Sequence, residues 1–238
     1  MLFRSFTAQK IACVSATTYH QLIDLQRRFY PSRECTCRVI YNGFNDTFHR
    51  ISEDQVKIVL KDFKLDDIDY FLHVGSGLPR KNRFLLIRLL QALKDESKVE
   101  VVFAGADIDN EMRKLIKLLN VEGKVHVIVK PTHEQLLAIY SGAYAFIFPS
   151  YAEGFGWPVI EAQACGTPVI ASNIQPMPEI GGEGALYAHP DNVNEFVDCV
   201  KRVREKNTRL SLINKGYQNI QRFGSQQMIC QYIELLQS

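Results

Sequence analysis

No apolar run in this 238-residue sequence reaches the roughly twenty residues needed to span a hydrocarbon core, which excludes a membrane-crossing helix. Paired C-x-x-C spacing is missing as well. Six cysteines stand at 13, 35, 37, 165, 199 and 230, and Cys35-x-Cys37 has no second half with His or Cys at ligand spacing. No metal is expected, and the thiols read as reduced, in a cytosolic protein. The opening MLFRSFTAQK is too short and too polar for a signal peptide. Excess charge of one sign is absent too. Lys and Arg number 28 against 26 Asp and Glu, a net +2, and the basic residues are scattered, so nucleic acid is not expected as a partner. Peripheral attachment at the inner face of a membrane stays open. With 46% hydrophobic and 23% charged residues, the chain can bury one substantial core or two small ones.

From residue 70 onward short apolar runs alternate with amphipathic stretches. YFLHVG (70–75), VEVVFAG (99–105), KVHVIV (124–129), YAFIFP (144–149), PVIAS (168–172) and ALYAH (185–189) predict strands. Met112, Leu115, Ile116 and Leu119 recur at helical spacing, as do Leu136, Leu137 and Tyr140. Thr132-x-x-Gln135 is a capping box that opens the second of these helices. The alternation predicts an α/β fold, a Rossmann-like doubly wound parallel sheet with ligands at the carboxyl ends of its strands. Upstream, KIACVSATTYHQLIDLQRRF predicts one strand and one helix, and CRVIYNGF a further strand ending in an Asn-Gly turn. These are too few elements for a second domain. From about Asn194 the chain forms a helical tail, with Phe196, Val197, Val200 and Val203 on one face.

HVGSGLPRKN (73–82) sits where a strand turns into a helix, a place where phosphates bind. Gly75-x-Gly77 begins a dinucleotide fingerprint, but Arg80 stands where its third glycine belongs and Lys81 follows. The strand 99–105 also ends in FAGAD, with no acid at its tip to grip a ribose diol. A nicotinamide-dependent oxidoreductase is therefore a distant alternative. Cations at a helix start oppose the macrodipole, so a bound anion accounts for Arg80 and Lys81 better than a solvated helix end.

PSYAEGFGWPVIEAQACGTPVIAS (149–172) places Glu153 in a loop, Gly154-Phe155-Gly156 in a turn, Pro158 at the first helical position, Glu161 one turn in and Gly166 at the stop. Glu161 would accept hydrogen bonds from vicinal hydroxyls such as a ribose diol, and Glu153 from a second polyol. The glycine amides and the positive helix end would sit beside a phosphate or sugar. Phe155 and Trp157 are either core or the wall of a base or sugar. Glu179 either closes the far side of the site or caps a short helix. His73 reads as a satisfied core residue, and Asp67-x-Asp69 and Asp107-x-Asp109 as capping acids rather than metal ligands.

EGFGWPVIE, followed by AQACGTPVIAS and PEIGGEGALYAHPDN, resembles the C-terminal half of GT-B glycosyltransferases, specifically glycosyltransferase family 4 (group 1), whose hallmark is two glutamates separated by seven residues. The loop ending Arg80-Lys81-Asn82 and the stretch RVIYNGF extend the resemblance over essentially the whole chain from residue 10. It implies a remnant of an N-terminal domain and interdomain linker over 1–50, and a nucleotide-sugar-binding domain over 51–238. It further implies retaining transfer of a hexosyl unit from a nucleoside-diphosphate sugar to a glycan or lipid-linked acceptor, with no cofactor besides the donor. By the resemblance Lys81 and Arg80 bind the diphosphate, Glu161 the ribose and Glu153 the donor sugar, with Glu153, Lys81 and Arg80 catalytic. Gly75, Ser76, Gly77, Gly154, Phe155 and Gly156 complete the donor site, although Ser76 stands where many relatives carry an arginine. Half of the expected cleft would come from a separate N-terminal-domain polypeptide or a second copy, seated on Met228, Ile229, Tyr232, Ile233 and Leu236. The alternative is a non-catalytic nucleotide-sugar-binding module or a truncated fragment.

Overall fold

A computed structural model describes residues 8–31, 35–44, 47–94 and 98–238. In chain order its elements are β1 (Lys10–Cys13), α1 (Ala16–Phe29), β2 (Thr36–Val39), α2 (Glu53–Lys61), β3 (Tyr70–Gly75), α3 (Phe84–Ala92), β4 (Glu100–Gly105) and α4 (Asn110–Leu118). They continue with β5 (Val125–Val129), α5 (His133–Gly142), β6 (Ala145–Phe148), α6 (Trp157–Ala164), β7 (Val169–Ser172), α7 (Met177–Gly181) and β8 (Ala185–Ala188). The tail is α8 (Val193–Arg204), α9 (Lys206–Ile220) and α10 (Ser225–Gln237). Side-chain caps set several helix starts. Ser15 with Thr18, Ser52 with Gln55 and Thr132 with Gln135 form capping boxes, and Asp109 caps α4 by accepting from the Met112 amide at 2.8 Å.

β3 to β8 form one parallel sheet in the order β5-β4-β3-β6-β7-β8, the Rossmann-like doubly wound arrangement that the alternation predicts. Period-two alternation sends Phe71, Phe103, Ile147 and Ile170 to one face, against Leu86 and Leu90 of α3 and Phe196 and Val200 of α8. Leu72, Val102, Phe146 and Phe148 go to the other face, against Leu137 and Tyr140 of α5 and Val159 of α6. Covered on both sides, β6 and β7 are buried throughout, which explains their continuous apolar sequences. β6 stops one residue before the predicted end, at Pro149, which has no amide to extend the ladder.

β3 lies between β4 and β6, so the winding reverses there. The helices that follow β3 and β6 cover opposite faces, the kind of strand-order reversal at which doubly wound sheets bind ligands beyond their carboxyl ends.

β1 and β2 pair in a separate two-stranded parallel sheet, along which α10 returns, with Lys10 Nζ donating to Leu236 O at 2.8 Å. Of the tail residues expected to form an unpartnered face, Ile229, Tyr232, Ile233 and Leu236 are exposed. Met228 differs, because its Sδ accepts from the Gly43 amide at 3.0 Å. Glu179 also behaves differently from either sequence reading. Its Oε1 accepts from the Ala16 amide at 2.7 Å and so caps α1, a helix 163 positions away, rather than its own. No helix among the described residues is long and apolar enough to cross a membrane.

The carboxyl ends of β3 and β4 meet at Gly75 and Gly105, which are register partners. Gly105 has φ +116°, and a Cβ there would lie 2.6 Å from Gly75 O. Gly105→Ala is expected to destabilise the protein by about 1–3 kcal/mol, through backbone strain and steric overlap at the strand ends. Urea unfolding checks this; an unchanged midpoint would show that the strand ends have room to part.

Candidate functional site

The loop after β3 departs from the expected direct entry into a helix. Pro79–Lys81 form a single 3-10 turn, Asn82 adopts the left-handed conformation at φ +50°, and α3 starts at Phe84. Proline presets the turn and asparagine tolerates the positive φ, so Arg80 and Lys81 sit in the turn ahead of the helix. Asn82 then joins three loops. Its buried Nδ2 donates to Pro149 O at 3.2 Å and to Pro190 O at 2.7 Å, linking the segments that follow β3, β6 and β8. Two further bonds attach the loop after β6: the Tyr151 amide donates to Arg80 O at 2.8 Å, and Arg80 Nη1 to Ala152 O at 2.7 Å.

These attachments bring Glu153 between the two cations. Arg80 Nη1 and Lys81 Nζ each lie 2.7 Å from a Glu153 oxygen. The contact to Lys81 is a charge pairing without hydrogen-bond alignment. Lys81 is 7% exposed, and its ammonium stands 4.8 Å above the Phe148 ring. A charge this deep requires a counter-charge nearby, and Glu153 supplies it. Arg80 and Lys81 thus share one carboxylate, Lys81 also feels the charge of Glu161, and Ser76 and Gly77 nearby in the same loop are exposed.

Glu161 lies in the second turn of α6, whose N-cap is Gly156 rather than a side-chain cap. Gly156 has φ +117°, and a Cβ there would fall 2.7 Å from Met177 Cε. Pro158 is the second helical residue, one later than expected, and Gly166 follows the helix at φ +69°. The Tyr140 hydroxyl, fully buried on α5, donates to Glu161 Oε2 at 2.8 Å. Burial raises the Glu161 pKa above 4.5, while the Tyr140 hydrogen bond and the charges of His133 and Lys81 pull the other way.

The choice left open for Phe155 resolves to core. It is 4% exposed and packs with Tyr41 and Phe223 at ring separations of 6.5 and 5.6 Å, whereas Trp157 is 39% exposed. The expectation that Phe155 lines the donor site therefore cannot rest on its ring, because the turn places that ring among apolar neighbours. Gly154 is exposed, and its carbonyl accepts from Ser15 Oγ at 2.9 Å. His73 is only half satisfied. Its Nδ1 meets Ile147 O at 3.1 Å, and its buried Nε2 has no partner. Tyr140 and the linking role of Asn82 escape a sequence reading, since Tyr140 shows there only as part of a helix face. Among the described residues no group of three or more His, Cys, Asp or Glu side chains is arranged to hold a metal.

A doubly wound parallel sheet with a charged crevice at its switch point defines the class, a Rossmann-like α/β protein. Within that class, the profile of the family described as "Glycosyl transferases group 1" matches residues 57–219, more than half of the chain, and the chain belongs to that family. The O-antigen chain mannosyltransferase RfbU of Salmonella typhimurium is 31% identical over 177 residues, which are 74% of this chain and 50% of that protein. The O-antigen chain mannosyltransferase B of Escherichia coli is 33% identical over 140 residues, 57% of this chain and 37% of that protein. The chain thus spans half or less of the length of these relatives. Sucrose-phosphate synthase from Thermosynechococcus elongatus superposes with a TM-score of 0.80 at 23% identity, over 99% of this chain and 60% of that one. Anabaena HepE in complex with UDP and glucose gives 0.84 at 21% identity, over 97% and 63%. At these identities the structural likeness establishes the fold.

The Glu161 environment predicts a pH-dependent stability difference. A carboxyl whose folded pKa is raised binds its proton more tightly folded than unfolded, so stability falls as pH rises above about 4.5. Glu161→Gln, which cannot ionise, is expected to melt above the parent at pH 7, with the gap closing on acidification below 4.5. Paired thermal melts across that range check it; a gap independent of pH would show that Glu161 ionisation is not the cause.

Proposed function

We propose that this chain is the donor-binding part of a retaining family 4 glycosyltransferase that takes a nucleoside-diphosphate hexose. One observation carries the reading: Arg80, Lys81 and Glu153, from the loops after β3 and β6, join in one cluster at the switch-point crevice, with Glu161 beside it. Lys81 and Arg80 take the diphosphate, Glu161 the ribose diol and Glu153 hydroxyls of the donor sugar. The departing nucleotide carries developing negative charge on its phosphate, and two preorganised cations stabilise it most where that charge is greatest. Glu153 meanwhile acts as a stand-in anion. When the diphosphate supplies the counter-charge, the carboxylate is released to accept sugar hydroxyls. The names of the two mannosyltransferase relatives support a mannosyl donor and a glycan or lipid-linked acceptor. The division near residue 50 is part of the same proposal, supported by the separate β1–β2 sheet and by a family match that begins at residue 57.

Calorimetry with GDP, UDP and ADP tests the site. Lys81→Ala is expected to weaken binding of the preferred diphosphate by about 1.5–3 kcal/mol, the range for a hydrogen bond to a charged group, and to leave the matching nucleoside unaffected. Equal losses for nucleoside and diphosphate would place Lys81 elsewhere. Glu153→Gln is expected to act in opposite directions, tightening free diphosphate because a competing carboxylate is gone, while weakening the sugar-linked form relative to it. Parallel changes in both would refute the stand-in role. Transfer from a radiolabelled nucleotide sugar then separates an enzyme from a module that binds the donor without transferring it.

A further inference from the structure

His73 is 1% exposed on β3, beneath the crevice. Its Nδ1 faces Ile147 O at 3.1 Å, and since a carbonyl can only accept, Nδ1 carries the proton. Burial, reinforced by the charges of Arg83 and Lys81, lowers the imidazole pKa to about 3, so the ring is neutral and Nε2 is a bare acceptor. That nitrogen is buried and unpaired, a costly state for a polar atom. A Cβ built on Gly75 would lie 3.6 Å from His73 Nε2 and 3.6 Å from Lys81 Cε, so the two side chains flank the same small space below the loop. Both also contact Phe148. The imidazole stacks on its ring at a 6.0 Å centroid separation, and the Lys81 ammonium stands 4.8 Å from its centroid.

We propose that His73 is a positioning residue for the donor site: once Glu153 is released from Lys81, the bare Nε2 accepts one N–H of the Lys81 ammonium, directly or through one water, and aims that cation at the diphosphate. This rests on the reading of Lys81 as a diphosphate ligand. An ammonium has three donors, and Glu153 sits against only one side of it. Once a bound donor draws Glu153 away, Lys81 on its flexible stem needs another fixed acceptor to remain in place. A carboxylate in that position would neutralise the cation. A neutral imidazole orients it and leaves its charge for the phosphate.

Two variants separate the nitrogens. His73→Asn keeps a polar group at the δ position, able to donate to Ile147 O, and has nothing at the ε position. His73→Gln carries an amide oxygen near the ε position. Calorimetry of the full chain with UDP, GDP and ADP, each beside its nucleoside, is expected to show His73→Asn binding the preferred diphosphate at least tenfold more weakly, His73→Gln returning to within about threefold of the parent, and nucleoside binding unchanged. Equal loss for nucleoside and diphosphate, or no rescue by Gln, would reduce His73 to a packing residue and overturn the inference. Unchanged binding by His73→Asn, with a parent that binds, would overturn it while sparing the donor site. A parent that binds none of the three would sink the donor-site reading and this inference with it. Nitrogen NMR of the parent provides a reading independent of variant folding. The His73 Nε2 resonance should be that of an unprotonated nitrogen and should shift on Lys81→Ala; a protonated Nε2, or one indifferent to Lys81, would overturn the inference.

Discussion

The reversal of strand order at β3 is the constraint on which the molecule's chemistry rests. With β4 on one side of β3 and β6 on the other, the connections that leave β3 and β6 must travel to opposite faces of the sheet. Their loops rise side by side at the carboxyl ends of the strands and are bridged there by hydrogen bonds and ion pairs. Arg80 and Lys81 lie on the first loop, Glu153 on the second, and Glu161 on the helix that the second loop enters. The strands beneath are buried on both faces, so the loops rise from a packed base.

Charge completes what topology begins. Lys81 is held out of water, where an ammonium without a counter-charge is strongly unfavourable, and Glu153 is drawn in to meet it. Removing one partner of a buried pair typically costs about 3–5 kcal/mol, so the two loops are tied together by a requirement of neutrality as well as by the Asn82, Tyr151 and Arg80 hydrogen bonds to backbone carbonyls. Arg80 shares the same carboxylate, and Glu161 acts electrostatically on Lys81 as well.

The segment that packs β1, α1 and β2 beside the main sheet reaches the same loop from behind. Ser15 caps α1 and also bonds the carbonyl of Gly154, the residue after Glu153, while Glu179 receives the first amide of α1. Phe155 fills a cluster with Tyr41 and Phe223. The loop bearing Glu153 is thus held by Arg80 on its crevice side and by the β1–α1–β2 layer on the other.

What was legible in the sequence is what the backbone settles over a few residues. Apolar runs bounded by Gly, Pro or Asn located the strands, with β3 found over 70–75 as read, and Ser or Thr followed three residues later by a polar partner marked helix starts. The spacing in EGFGWPVIE put Glu161 on a helix and Glu153 in the loop before it, because a helix repeats every 3.6 residues wherever it occurs. Nothing local states the strand order, and with it went the pairing of Glu153 with cations more than seventy positions away. The Tyr140 hydroxyl on Glu161, the cap that Glu179 provides to α1 and the unpaired nitrogen of His73 were equally beyond local reading. The sequence by itself determined the elements, their caps and the residue types at the strand ends, through backbone preferences acting within a turn or a strand. Only the tertiary structure decided which of those residues meet, because their contacts follow from how the two faces of the sheet are covered and from the need to pair every charge that this covering buries.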